Sequence, residues 1–279
     1  MFNKSLVFIS RCFVWSVLSN IGKSKIIKLT IFVPIIGMYL LFNDRVIDFL
    51  KFDSTFMKNL GLNVDSDVNG FTFSNIYFVY FGLCFVGVGS FLFNIFCPDE
   101  IKSTSYIMDY VSKVEFSENT VVAKSNLQFI LDRYFENYYN DEDDRIKEKP
   151  EYPYLIEVDF YNLIHEMFNE TGHDWDISEN SDDASSLGSS IYLATGYPNL
   201  REIARMVWSS PKVIWVFTVP FKDLAPKFAK DISYVMFKNL NHSYFIIRMV
   251  ISFFYIIGFS LLLKPTLETF CRLLWYKVL

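Results

Sequence analysis

Charge is missing from one long stretch of this 279-residue sequence. Ile76 to Phe96 contains no Asp, Glu, Lys, Arg or His over 21 residues. As a helix it would span about 31 Å, close to the hydrocarbon thickness of a bilayer. A surface helix of a soluble protein keeps a polar stripe, and this segment has none. Charge is also thin overall. Only 20 % of residues are charged, while 52 % are hydrophobic and 19 % aromatic. Cysteine is scarce: Cys12, Cys84, Cys97 and Cys271 are scattered without CxxC spacing. That excludes a CxxC-based zinc or thiol-redox motif and argues against a disulfide framework. The four read as small apolar residues in a reducing or lipid setting. Walker, GxGxxG, GxSxG and HExxH motifs are missing too, which removes the reaction classes those patterns carry. No internal repeat is visible.

What charge there is lies asymmetrically. Residues 1–28 carry Lys4, Arg11, Lys23, Lys25 and Lys28 and no acid, whereas residues 98–240 carry 14 Lys/Arg against 25 Asp/Glu. A basic terminus beside an apolar segment is an orientation signal that keeps the terminus in the cytoplasm. An acidic body argues against nucleic acid as a direct ligand. Residues 5–20 are apolar but interrupted by Arg11, and no small-residue cleavage site follows, so a cleaved signal peptide is not expected. The segment 1–27 reads as an amphipathic helix in the membrane interface, anchored by Trp15. A first span is expected at 28–44. Its uncharged core, Leu29–Asn43, is short enough that Lys28 must snorkel, and Pro34 lies inside it. Residues 44–75 form a polar loop with fewer cations than the N-terminal flank, placing it outside the cytoplasm. The second span at 76–97 then returns the chain, so residues 28–97 form a two-span hairpin.

The cytoplasmic body, residues 98–240, is expected to be α+β and mostly helical. Ser117 can cap a helix to Tyr139, with Leu127, Ile130, Leu131 and Phe135 at helical spacing. Asp159–Asn169 places Phe160, Ile164, Met167 and Phe168 on one face. Asn199, with Glu202 three residues on, is an N-cap signature before Leu200–Trp208. Val213–Val219, bounded by Pro211 and Pro220, reads as a buried strand. Ser178–Ser190 and Asp141–Asp144 read as loops. Residues 241–279 hold a third span, Phe245–Leu263, closed by Lys264 and Pro265, and then an amphipathic tail with Trp275 at the interface. Arg248, near the start of that span, is expected to snorkel to the interface. Three spans from an inside N-terminus leave the tail outside, against its Lys264, Arg272 and Lys277. Either the third span is a re-entrant hairpin or the positive-inside rule is weakly broken.

Candidates for chemistry are few. His165, Glu166, Glu170 and His173 form the densest cluster, but histidines eight residues apart do not share one helical face as i, i+4 ligands do. Asp141, Glu142, Asp143 and Asp144 lack the glycine and the terminal glutamate of an EF-hand loop. His173, Asp174 and Asp176 come without a nucleophile or oxyanion hole. Cys97, at the membrane edge, reads as a buried thiol before it reads as an acylation site. The features with more weight are Gly82, Gly87, Gly89 and Ser90, which let helices approach closely, whether on another span or on another copy.

The stretch Trp15–Lys25 leading into a Pro-containing span, and the second span ending in Phe96-Cys97-Pro98 before an acidic helix, resemble small membrane proteins of bacterial anti-phage loci. The nearest family is the membrane effector that accompanies some retron reverse transcriptases. The resemblance covers roughly the first 110 residues. Three spans here depart from that family's two. It implies an inner-membrane effector of abortive infection, held inactive by a partner and disrupting the bilayer when released. The expected associates are lipid, further copies of the chain, and a protein or nucleoprotein partner such as a reverse transcriptase complex, docked through Asp141–Asp144. No cofactor, metal or catalytic residue is expected. The alternatives are a scaffold subunit of a membrane complex and a membrane-tethered hydrolase using His165, Glu166 and His173.

Overall fold

The computed structural model describes residues 2–25, 30–32, 67–115, 120–138, 149–171, 191–193, 195, 197–209, 219 and 221–278. Its helices are α1 (Phe2–Cys12), α2 (Trp15–Gly22), α3 (Asp67–Phe96), α4 (Asp99–Ser103) and α5 (Ile107–Glu115). They continue with α6 (Thr120–Tyr138), α7 (Tyr154–Glu170), α8 (Leu200–Ser209), α9 (Ala229–His242) and α10 (Phe245–Val278). A short 3-10 turn, Thr30–Phe32, is all that is described of the first expected span. The chain divides into two units, Met1–Ser16 with Pro98–Phe245, and Val17–Cys97 with Ile246–Leu279.

In the first unit, the body, α9 packs against α5, α6 and α7, and α8 packs on α6 and α7. The core follows the helical stripes. Leu127, Ile130, Leu131 and Phe135 of α6 meet Phe160, Ile164, Met167 and Phe168 of α7, all buried. Ile203 and Val207 of α8 and Ile232 and Val235 of α9 complete it. Each such side chain contributes about 1.5–3 kcal/mol through its burial. Tyr134 stacks on Phe160 with ring centroids 4.3 Å apart, and its hydroxyl lies 2.6 Å from that of Tyr161. Trp208 stacks on Phe135 at 4.7 Å and donates its indole N–H to Asp132 at 2.8 Å.

Two local starts explain themselves. Glu202 donates its backbone N–H to the Asn199 side chain at 3.3 Å, as the cap signature requires. α7 begins five residues before the expected Asp159, because Pro153 at its N-cap has an extended backbone and leaves Tyr154 to open the helix. Proline there forfeits no intrahelical bond.

The described residues are mostly helical and contain no strand, only two isolated bridges, Lys149 with Tyr152 and Tyr192 with Pro198. The expected strand at 213–219 falls outside the described residues except for Val219, which is helical.

The second unit is built on α3 and α10, 30 and 34 residues long. At about 1.5 Å per residue they measure about 45 and 51 Å. Two windows, Tyr77–Phe96 and Phe245–Glu268, are long and apolar enough to cross a membrane. Their contacts run in opposite directions. Lys264 lies over the Phe78 ring, Gly258 meets Gly82 and Val86, Phe254 meets Phe85 and Tyr255 meets Gly89. The helices are therefore antiparallel, with Phe96 and Ile246 at the same end of the pair.

Two expectations about the C-terminal region are corrected. Pro265 does not close the third span: α10 runs through it to Val278. A proline inside a helix removes one i→i−4 bond and leaves the other bonds of a long helix available. The separate amphipathic tail and the re-entrant hairpin both give way to this single continuous helix.

Candidate functional site: a glycine crossing and a buried arginine

The antiparallel pair is held by residues without side chains. A Cβ placed on Gly82 would sit 2.9 Å from the Gly258 carbonyl oxygen, and one on Gly258 would sit 2.9 Å from that of Gly82. The second would also come within 3.0 Å of the Val86 backbone nitrogen. Because the obstacles are backbone atoms, they cannot rotate away as a side chain would. Two helical turns beyond Gly82, a Cβ on Gly89 would lie 3.0 Å from the Tyr255 ring. Gly87 and Ser90 are buried on the same helix. Phe85 and Phe254 flank the crossing with ring centroids 5.8 Å apart. Gly82 and Gly89, singled out in the sequence, thus pack on another helix of the same chain.

Gly258 and Gly22 complete this set and were not anticipated. Gly22 meets the Phe93 ring so closely that no Cβ fits. Gly258 was legible in principle, as the only glycine in Phe245–Val278. One isolated glycine in an apolar helix has no spacing partner in its own sequence.

Arg248 is the second unusual element. It is the fourth residue of α10 and is 0 % exposed. The expected snorkelling to the interface is therefore overturned: its side chain is enclosed by protein. A guanidinium stays charged at any physiological pH, so enclosing it demands compensating polar contacts. Ser252, one turn on, donates its hydroxyl to the Arg248 carbonyl at 2.7 Å. Charged residues inside apolar helices of this length are uncommon.

Trp15 is also corrected. It is 0 % exposed, and its indole N–H donates to the Ser243 carbonyl at 3.0 Å. It acts as a peg within the body, where a lipid anchor would face outward. Beside it, the Ser16 N–H at the start of α2 donates to the Asn241 side chain at 2.7 Å. The Phe245 N–H at the start of α10 donates to Glu151 at 2.9 Å. In both helices a donor of the first turn is thus satisfied by a side chain of the body. The turn before α10 places Tyr244 at φ 53°, in the left-handed region. The N-terminal amphipathic segment is two helices broken near Phe13, with Phe8 and Ile9 exposed on the first.

The remaining sequence candidates do not converge. His165 and Glu166 are exposed on α7, Glu170 pairs with Lys227, and His173 lies outside the described residues. Among the described residues, no group of three His, Cys, Asp or Glu is placed to hold a metal. Cys97 is buried, so its thiol is not open to acylation. Asp141, Glu142, Asp143, Asp144 and the 178–190 loop lie outside the described residues, as does the side chain of Trp275.

Burial shifts several groups of the body. Desolvation, then the charge of Glu157, pushes the Tyr152 phenol far up, so it stays protonated. Lys222 is lowered by burial, partly offset by Asp132. For Lys238, burial works against the charge, but hydrogen bonds to Asp159 and Tyr234 outweigh it and the pKa is raised. Each of these groups has a packing or pairing partner, and none is joined to a nucleophile. No protein-family model, no curated protein and no solved structure matches this chain.

Proposed function

We propose that this chain is a membrane-embedded effector of bacterial anti-phage defence, acting on the inner membrane when a partner releases it. The observation that carries the membrane part is the distribution of burial along α3 and α10. Only 33 % of the Tyr77–Phe96 window and 28 % of the Phe245–Glu268 window are buried in the protein. A core helix of a soluble protein is mostly buried. Here Phe81, Phe91, Ile95, Ile246, Phe253 and Ile256 point outward. Such an apolar surface is stable in lipid and prone to aggregation in water. The defence part rests on the resemblance of the first 110 residues to retron-associated membrane effectors.

In this reading the helix pair is the working part. Its glycine crossing gives a close, separable contact, and enclosed Arg248 is a charge that any rearrangement of α10 would expose to lipid. The basic N-terminus favours the cytoplasmic side for that end of the chain. The acidic body, through Asp141–Asp144 or the 178–190 loop, would meet a basic surface of a protein or nucleoprotein partner. Membrane damage would involve several copies.

The test is to induce the chain alone and together with its neighbouring genes while recording membrane potential and dye uptake. Depolarisation by the chain alone, suppressed by the neighbours, is the expected result. An intact membrane during phage-triggered arrest would overturn the effector reading and favour a scaffold subunit.

A further inference from the structure

α9 ends at His242 and α10 begins at Phe245. Only Ser243 and Tyr244 separate them, and the local sequence does not call for a break. From Ala229 to Ile257 the chain holds no glycine and no proline, the two residues that punctuate helices. The break is made by backbone angles instead. Ser243 is extended, at φ −64° and ψ 158°, and Tyr244 is left-handed, at φ 53°. Among the described residues Tyr244 is the one non-glycine residue with a positive φ. For an L-residue that conformation is disfavoured about tenfold. Where a helix simply ends, glycine or asparagine usually takes the left-handed position. Tyr244 does not offset the cost by its own packing, because it is 56 % exposed.

The strain is held by neighbours. In one unbroken helix the Phe245 N–H would bond the Asn241 carbonyl, and the Ser243 carbonyl would accept the Ile247 N–H. Here both groups are engaged by other parts of the body. Glu151 accepts the Phe245 N–H at 2.9 Å, and the Trp15 indole donates to the Ser243 carbonyl at 3.0 Å. The Asn241 side chain accepts the Ser16 N–H at 2.7 Å and donates to the Ser16 hydroxyl at 3.2 Å. That pins the last turn of α9 to the start of α2. The clamp thus occupies backbone groups on which continuation of the helix depends. Its residues all belong to the same unit, the body. A conformation kept against its own cost by surrounding bonds is a place where two arrangements lie close in energy.

We infer that the α9–α10 turn is a strained switch: with the Trp15 clamp in place the helices are broken at Ser243 and Tyr244, and with it withdrawn they join into one helix from Ala229 to Val278. Joining relieves the left-handed Tyr244 and gives the freed backbone groups helical partners. It also changes the direction in which the chain leaves α9. Trp15 and Ser16 lie at the α1–α2 junction, so anything that draws that junction away trips the switch. The device requires neither the membrane span nor the effector reading.

The test is pulsed electron spin resonance on the full chain in detergent, with the four cysteines changed to Ser and spin labels carried by Lys230→Cys and Phe253→Cys. Both positions are exposed. In a joined helix they lie about 35 Å apart, at about 1.5 Å per residue. Trp15→Phe keeps an aromatic ring and removes the N–H donor. It should raise the joined-helix population about fivefold, the weight of one net hydrogen bond. Asn241→Ala should raise it too, and it serves where Trp15→Phe does not fold. Tyr244→Gly acts in reverse, since glycine takes the left-handed conformation freely and is poor inside a helix. Added to Trp15→Phe, it should return the joined-helix population to the parent level. Glycine at that position would not repair a body that Trp15→Phe had only loosened. A joined-helix distance that stays absent in both Trp15→Phe and Asn241→Ala, or that Tyr244→Gly leaves in place, would overturn the switch. So would a parent chain that already shows it as the main distance.

Discussion

The helix pair and the body differ in how many of their large apolar residues they leave exposed. In the body, Phe160, Leu131, Ile203 and Ile232 are fully enclosed. In the pair, glycines hold the contact between helices, while Phe81, Phe91, Phe253 and Ile256 are more than half exposed. The same side-chain type is thus a core filler in one unit and an outer surface in the other. In water, packing is driven by removing apolar area from solvent, so large side chains go inside. Between helices in lipid that drive is lost, and close backbone approach takes its place, so small residues go inside. On the proposed membrane reading, this difference is what two units in two solvents would show.

The sharpest way to break the comparison is to make the same change on both sides. Phe160→Ala should cost the body about 3–5 kcal/mol, because it opens a cavity beneath Tyr134. Phe253→Ala should change stability by less than about 0.5 kcal/mol in detergent, since it removes no buried contact. Denaturant unfolding of the full chain, followed by tryptophan fluorescence, measures both. Phe253→Lys adds the solvent test. It should lower recovery in the membrane fraction, at a cost of about 2.5–3.5 kcal/mol for a charge deep in lipid. If Phe253→Lys were as well tolerated as a surface substitution, α10 would be facing water and the inversion would need another cause.

The second test attacks the crossing. Gly258→Leu forces a side chain into the Gly82 carbonyl and should part the helices at a cost of about 1–3 kcal/mol or more. With Cys12, Cys84, Cys97 and Cys271 changed to Ser, cysteines at Phe85 and Phe254 should form a disulfide readily on oxidation. Gly258→Leu should abolish that cross-link. Gly89→Leu should weaken it less, because its obstacle is the Tyr255 ring, which can turn, and not backbone. Persistence of the cross-link in Gly258→Leu would show that the glycines are incidental.

The two units also differ in how much of them the sequence disclosed. Helical stripes in the body were legible because each position reports its own burial: Leu127, Ile130 and Leu131 on α6, and Phe160, Ile164 and Met167 on α7, lie where their periodicity puts them. The Asn199–Glu202 cap was legible because it is local in sequence. For the pair, the long uncharged runs and the Gly82 and Gly89 face were readable. Gly258 was not, since its meaning depends on a partner more than 150 residues away. Arg248 misled for a related reason. Its distance from the helix start permits snorkelling, and only tertiary packing decides that it is enclosed. Pro265 misled because a proline inside a helix forfeits a single backbone bond, which a 34-residue helix continues past.

A smaller effect should appear where the body grips the start of α10. Glu151 accepts the Phe245 N–H at 2.9 Å and places a carboxylate at the positive end of a long helix. Glu151→Ala should cost about 0.5–2 kcal/mol, the usual value of a lost N-cap. Glu151→Gln should restore most of the hydrogen bond and none of the charge. Hydrogen exchange confined to the first turn of α10 would register the difference, and equal exchange in Glu151→Ala and the parent would remove the cap from the account.

The smallest effect concerns pH, and its sign follows from Lys238. Burial alone would lower its pKa, but the bonds to Asp159 and Tyr234 raise it above the ordinary lysine value of 10.5. A group whose folded pKa lies above its unfolded one contributes stability that is complete below the unfolded value. That contribution is lost as pH rises through the folded one. The pair is thus intact at neutral pH and fades only above about 10.5. Both partners are about one-fifth exposed, so solvent screening keeps the effect small. Lys238→Met should flatten the alkaline end of the stability profile and leave its slope below pH 9 as it was. Lys222 provides the opposite sign within the same body. Burial lowers its pKa, so its charge opposes folding below that value and the penalty lifts as pH rises. Lys222→Met should therefore raise stability at neutral pH slightly where Lys238→Met lowers it. Two lysines of one fold moving in opposite directions is a result that general alkaline unfolding cannot imitate. Parallel shifts in the two variants would mean that neither the Asp159 bond nor the burial of Lys222 sets the slope.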